Sequence, residues 1–142
     1  MNKILTKYSM KPKKKTLLLT AENSLFGGIT RYTLNASIFL KSHPTYQIHI
    51  ACLVGPEGKS FLHDETQKNG IFVHDIIMNN SYDPNAFRQV KRLVLKLQPE
   101  ITLTQGYRAN LIFWISKLKY NLPGLFFDRQ AGIPLKFTKR LL

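Results

Sequence analysis

The stretch Lys15-Thr16-Leu17-Leu18-Leu19-Thr20-Ala21-Glu22-Asn23-Ser24-Leu25-Phe26-Gly27-Gly28-Ile29-Thr30-Arg31-Tyr32-Thr33 decides the reading of the chain. A short apolar run stops at a polar loop, the loop meets two glycines, and an amphipathic segment follows. That succession reads as the first strand, glycine-rich turn and first helix of an α/β domain. Gly27 and Gly28 lack Cβ atoms, so their amides can approach a ligand closely. The start of the following helix leaves amides unpaired and carries partial positive charge, which suits an anion. Arg31 lies within about one helical turn and can add a full charge. Two readings of the pair stand side by side: a tight turn, and an anion site.

The same alternation continues outward. Residues 28–41 predict a helix with Ile29, Thr33, Ala36 and Leu40 on its buried face and Leu34 and Ile38 beside them. His43-Pro44 ends it. Residues 46–54 predict a second strand, Gly55-Pro56-Glu57-Gly58 a turn, and 59–69 a short helix closed by Gly70 as a left-handed cap. Residues 71–78 predict a third strand. Asp83 can cap the next helix and Pro84 suits its first position. That helix, 85–97, puts Phe87, Val90, Leu93, Val94 and Leu97 on one face. Arg88, Arg92 and Lys96 recur every four residues on another, with Lys91 alongside. Residues 100–104 predict a fourth strand, broken by Gly106. The helix over 108–119 is apolar on most sides, a pattern that predicts burial between the sheet and a neighbour. Residues 124–127 predict a fifth strand.

Strands alternating with helices through short connections predict an α/β fold, a Rossmann-like parallel sheet with helices on both faces. Ligands of such sheets lie beyond the carboxyl ends of the strands. Three loops are expected there, 22–28, 105–108 and 128–132. Arg31, Arg108 and Arg129 are expected to converge on that rim and suit phosphate or another anion.

The 142 residues make about one domain. The net charge of +13 is uneven: residues 1–15 hold six lysines and no acid, residues 16–85 sum to −2, and residues 86–142 to +9. Such basicity suits anionic lipid, phosphorylated substrates or nucleic acid. No nucleic-acid motif accompanies it, and aromatic residues are not interleaved with the basic runs, so nucleic acid is not an expected partner. The single cysteine, Cys52, sits in an apolar run and reads as a small buried residue. The four histidines, His43, His49, His63 and His74, have no metal-ligand spacing, so no metal and no cofactor are expected. Residues 1–15 lack the apolar core of a signal peptide and read as a flexible basic arm.

Two stretches carry a family resemblance. Leu17 to Arg31, with Gly27-Gly28-Ile29-Thr30-Arg31, resembles the first strand and Gly-Gly-x-x-Arg loop of the retaining glycosyltransferases of family 4. Leu97-Gln98-Pro99-Glu100-Ile101-Thr102-Leu103-Thr104-Gln105-Gly106-Tyr107-Arg108-Ala109-Asn110 resembles that family's Pro-Asp-Ile-Val-His-Thr-His-Gly-Tyr-Lys-Ala-Asn pattern. Ser81-Tyr82-Asp83-Pro84 before a basic helix also fits. The resemblance implies one lobe of a two-lobed GT-B glycosyltransferase, spanning residues 16–132, with 133–142 beginning the inter-lobe segment. The implied lobe binds a glycan or lipid-linked acceptor, in cell-surface polysaccharide synthesis at the inner face of the cytoplasmic membrane. The donor, a nucleotide sugar, would be held by a C-terminal lobe whose paired glutamates have no counterpart here, so the chain reads as truncated.

By the same resemblance the substrate-binding residues are Gly27, Gly28, Arg31, Gln105, Gly106, Tyr107, Arg108 and Asn110. Leu103 and Gln105 stand where the family often has histidines. Where many members carry a histidine facing the transferred sugar, after the fifth strand, this chain offers Asp128 and Arg129 as catalytic candidates. The alternative function is a non-catalytic Rossmann-like module that holds phosphate or a nucleotide sugar.

Overall fold

The computed structural model describes residues 12–24 and 27–129. The expectations placed on residues 1–11 of the arm, on Leu25 and Phe26, and on 130–142 lie outside the described residues. The elements run β1 (Lys15–Glu22), α1 (Gly28–Leu40), β2 (Tyr46–Val54), α2 (Leu62–Gln67), β3 (Phe72–Ile77), α3 (Pro84–Leu97), β4 (Ile101–Thr104), α4 (Tyr107–Tyr120) and β5 (Leu125–Asp128). Lys15 therefore belongs to β1 and not to the arm. Its ammonium lies 2.7 Å from Glu100, which also accepts from the Tyr46 hydroxyl and so ties the starts of β1, β2 and β4 together.

The five strands form one sheet in the order β3-β2-β1-β4-β5, and every pairing is parallel. The α/β Rossmann-like expectation holds. Two apolar clusters sandwich the sheet. On one face Leu18, Ala51, Leu53 and Ile76 meet Val90 and Val94 of α3 and Ile112 and Phe113 of α4. On the other, Leu19, Ile50, Cys52 and Val54 meet Leu62 of α2 and Leu34 and Ile38 of α1. Alternate strand residues feed opposite clusters, as the two-residue period requires. Cys52 is fully buried as expected, and that burial pushes its thiol up to about 11.

Two helix faces differ from expectation. The inward face of α1 is Thr30, Thr33 and Ser37, not Ile29 and Ala36. The reason lies in β1: the Thr33 hydroxyl donates to the Thr20 carbonyl at 2.8 Å, and the Thr30 hydroxyl to that of Glu22. Small hydroxyl side chains let the helix sit close while satisfying strand carbonyls past the point where the β1–β4 ladder stops at Leu19↔Leu103. Helix α4 buries Ala109, Asn110, Ile112, Phe113 and Ser116, whereas Leu118 is 79% exposed and Ile115 is also open. The start of α3 follows its sequence signals. Asp83 accepts from the Asn85 amide at 2.9 Å, and Pro84 opens the helix.

Strand register makes a histidine pair, and helix packing a histidine–aspartate pair, that sequence spacing concealed. His49 Nδ1 lies 2.9 Å from His74 Nε2, and His63 Nε2 lies 2.8 Å from Asp75 Oδ2. Among the described residues no group of three such side chains is placed to hold a metal. Burial, then His74 and Lys96, push His49 from 6.5 down to about 4. Burial and Lys96 also lower His74. Between those two values the unfolded chain binds more protons than the folded one, so stability present above about pH 6.5 is lost as the pH falls towards 4. The expected loss from His49 between pH 7.5 and 4.5 is about 2 kcal/mol. Urea titrations at pH 7.5 and 4.5 measure it, and His49→Leu flattens the difference. An equal drop in that variant assigns the acid sensitivity elsewhere.

Candidate functional site

The chain lays β2 and β3 on one side of β1 and then crosses to lay β4 and β5 on the other. Helix α1 leaves β1 towards one face, and α4 leaves β4 towards the opposite one. The carboxyl ends of β1 and β4 thus flank the point where the winding reverses, the place where ligands of such sheets commonly sit.

On the β1 side stand Gly27 and Gly28. Gly27 is the N-cap of α1 in extended conformation, and no side chain caps the helix. Neither glycine has positive φ. A Cβ on Gly28 would enter open space, and one on Gly27 would have Ser24 Oγ as its nearest neighbour, at 3.0 Å. The pair therefore makes no turn that demands glycine. Among the described residues nothing crowds the Gly28 side, so the first-turn amides of α1 can be approached closely there. Arg31 is exposed on that turn.

On the β4 side a network joins four elements. The Gln105 amide donates to the Thr20 hydroxyl at 2.8 Å, and its Nε2 donates to the Thr33 hydroxyl, also at 2.8 Å. Arg129 Nη1 donates to Gln105 Oε1 at 3.4 Å, and the guanidinium lies 3.4 Å over the centre of the Tyr32 ring. Gln105 is 3% exposed, so it holds Arg129 against α1 and does not itself face solvent. Asn110 plays the same part for Asp128, donating from Nδ2 to Oδ1 at 2.6 Å while itself buried. Gln105 and Asn110 thus stand behind the rim, and Tyr107, Arg108, Asp128 and Arg129 stand exposed on it.

The three arginines share this edge in different settings. Arg129 stacks on α1, Arg31 projects from it, and Arg108 opens towards the ends of β1, β2 and β3. Among the described residues none has a carboxylate within ion-pair distance. Arg108 borders a depression of about 510 Å³, whose walls include Glu22, Glu57, Met78 and Asn80. Glu57 accepts from the Gly55 amide, and hydrogen bonds from its own amide, from Gly55 and from Asn23 hold its carboxyl below the usual range. The sequence places loops after β1, β4 and β5 on this rim, and the structure adds those after β2 and β3. Parallel strands share one carboxyl edge, so Gly55–Gly58 and Asn79-Asn80 had to open there too.

About nine tenths of this chain superposes on solved glycosyltransferases. It matches a glycosyltransferase from Rickettsia africae ESF-5 with a TM-score of 0.65 and 21% identity, over 89% of this chain and 33% of that one. The glycotransferase of kitacinnamycin gives 0.56 and 11%, over 92% and 34%. MurG of Acinetobacter baumannii gives 0.56 and 15%, over 89% and 39%. What the likeness shows is the fold, a five-stranded parallel Rossmann-like α/β sheet of the kind these glycosyltransferases contain. The chain spans about a third of the length of these proteins. No protein-family model matches it, and no curated protein matches it. Within this fold the glycine pair, the Gln105 network and the Asp128–Asn110 pair all occupy the carboxyl edge. No helix among the described residues is long and apolar enough to cross a membrane.

Proposed function

We propose that this chain is the acceptor-side lobe of a retaining glycosyltransferase of family 4, transferring a hexose from a nucleotide sugar to a glycan or lipid-linked acceptor in cell-surface polysaccharide synthesis. The observation that carries the reading is the superposition of about nine tenths of the chain on one third of three glycosyltransferases. The open amides of Gly28 and its neighbours, with Arg31, would meet the donor diphosphate when a donor-binding lobe closes on this edge. Asp128, held by Asn110, would accept a hydrogen bond or proton beside the transferred sugar, and Arg129 would steady phosphate charge. Gly106, Tyr107 and Arg108 would line the acceptor side.

A titration of the labelled 142-residue chain tests this. Oligosaccharide acceptors are expected to shift the amides of Gly106, Tyr107 and Arg108, and nucleotide sugars alone are expected to give no turnover. Robust transfer without a second lobe would refute the half-site role. Nucleotide-sugar binding with no acceptor binding would favour the non-catalytic module.

The same reading places the lobe on the inner face of the membrane. Arg88, Lys91, Arg92 and Lys96 are all exposed along α3. Each basic residue near an anionic surface contributes about 1 kcal/mol. Replacing Arg88, Arg92 and Lys96 by glutamine is therefore expected to weaken binding to phosphatidylglycerol vesicles roughly 100-fold at low salt. Binding that is absent in the parent chain, or unchanged in the variant, would remove the membrane from the account.

A further inference from the structure

The depression beside Arg108 is lined, apart from that arginine, by the part of the chain that carries no positive excess. The chain carries 21 lysines and arginines against eight acids. Yet the ionisable residues lining this depression are Glu22, Glu57 and Arg108, which leaves it net negative in a protein of charge +13. Its volume of about 510 Å³ falls among small-molecule sites, which run from about 300 to 1,000 Å³. It lies at the carboxyl ends of β1, β2 and β3, next to the reversal point and not on it.

The wall chemistry specifies what fits. An ionised carboxylate only accepts hydrogen bonds, so a partner for Glu22 and Glu57 must bring donors. Glu57 is kept ionised by the amides around it. Asn80 and Ser81 at the β3 end supply groups that both donate and accept. Leu53, Val54 and Met78 at the strand ends are buried and apolar, a floor for C–H groups. A ring with hydroxyls on its edge and C–H bonds on its face satisfies all three. A carboxylate or phosphate on that ring would face two like charges against one arginine.

We infer that this depression seats the sugar ring of the acceptor and selects a neutral, hydroxyl-rich ring over an acidic one. The inference rests on the glycosyltransferase reading and adds to it a subsite and a substrate class. Anions are sent instead to the α1 start and Arg129, so one edge sorts the neutral acceptor from the charged diphosphate.

The test is a titration of the ¹⁵N-labelled chain with four probes: methyl glucoside, N-acetylglucosamine, glucuronic acid and glucose 6-phosphate. The two neutral sugars are expected to shift the amides of Gly55, Glu57, Asn79 and Asn80. The two acidic sugars are expected to bind there at least tenfold more weakly. Glu22→Gln keeps the side-chain shape and leaves the Gly55 turn intact, and it is expected to narrow that preference at least threefold. Glu57→Gln repeats the test at the second carboxylate, with an unchanged spectrum elsewhere as the check on folding. Equal binding of acidic sugars, or a preference surviving both substitutions, overturns the inference. Shifts confined to Gly28, Arg31 and Gly106 overturn the subsite and leave the glycosyltransferase reading standing. Binding of no saccharide at all overturns both.

Discussion

Replacing Gly124 by alanine is expected to cost about 4 kcal/mol, the largest loss expected from alanine at any described glycine. Gly124 has φ +88°, a region that costs other residues about 1–2 kcal/mol. The added Cβ would also lie 2.3 Å from the Pro99 carbonyl oxygen. That oxygen cannot simply withdraw. The next residue, Glu100, donates its amide to Thr16 and accepts from the Leu125 amide, each at 2.9 Å, so the backbone here is the start of β4. The chain must move β5 instead, and overpacking of this kind costs about 1–3 kcal/mol more. The Gly124 carbonyl accepts from Lys117 Nζ at 3.0 Å, a bond that anchors the turn to α4 and is lost with it.

A domain of this size has roughly 5–15 kcal/mol in hand. With a urea dependence of about 1–3 kcal/mol per molar, the midpoint should fall by roughly 2 M. Gly70→Ala is the control. Gly70 has φ +66°, but a Cβ there meets nothing within 4 Å, so that variant should lose only about 1 kcal/mol. Equal midpoints for the two variants would show that the Pro99 carbonyl yields after all. Because β5 carries Asp128 and Arg129 to the rim, Gly124→Ala should also remove the Asn110–Asp128 bond.

The elements of this fold were legible because their signals are local. Apolar runs marked the strands to within one or two residues, and Asp83-Pro84 announced the start of α3. The sheet's carboxyl edge followed from strand–helix alternation alone. What remained hidden depends on register and close packing. His49 meets His74 only because Ala51 pairs with His74 across parallel strands, and nothing in the spacing of the two shows it. The inward face of α1 was misread because hydropathy ranks Ile29 above Thr30. The helix instead turns the hydroxyls that satisfy β1 carbonyls towards the sheet. Asn110 matches the family motif and Gln105 stands where the family often has histidine, so both are expected as substrate contacts by position in the motif alone. Their burial makes them the supports behind Arg129 and Asp128, a distinction that a motif cannot carry. The acidic depression went unseen for a further reason. Its walls come from the loops after β1, β2 and β3 and from Arg108 at the start of α4, each ordinary by itself.

Gly106→Ala is the second large effect, and it separates the site from the scaffold. Gly106 caps α4 at φ +83° and ψ 151°, a conformation reserved almost wholly for glycine. Its added Cβ would lie 2.8 Å from Ile29 Cδ1 and 3.2 Å from a Glu22 carboxylate oxygen. Both neighbours are side-chain ends and can move, so the expected cost is about 3 kcal/mol, below that at Gly124. For a chain this long that corresponds to a fall in Tm of about 10 °C. The displaced groups matter more than the figure. Ile29 sits in the first turn of α1 beside the open amides, and Glu22 lines the depression. Adding Ile29→Ala removes the harder of the two collisions and should recover about 1 kcal/mol, a coupling that a double-mutant cycle reads directly. It leaves Glu22 displaced, so the double variant should regain stability while its preference for neutral sugars stays reduced. If stability and preference return together, Glu22 was not displaced by the methyl group. If neither returns, the backbone conformation of Gly106, and not the space around it, sets the geometry of this edge.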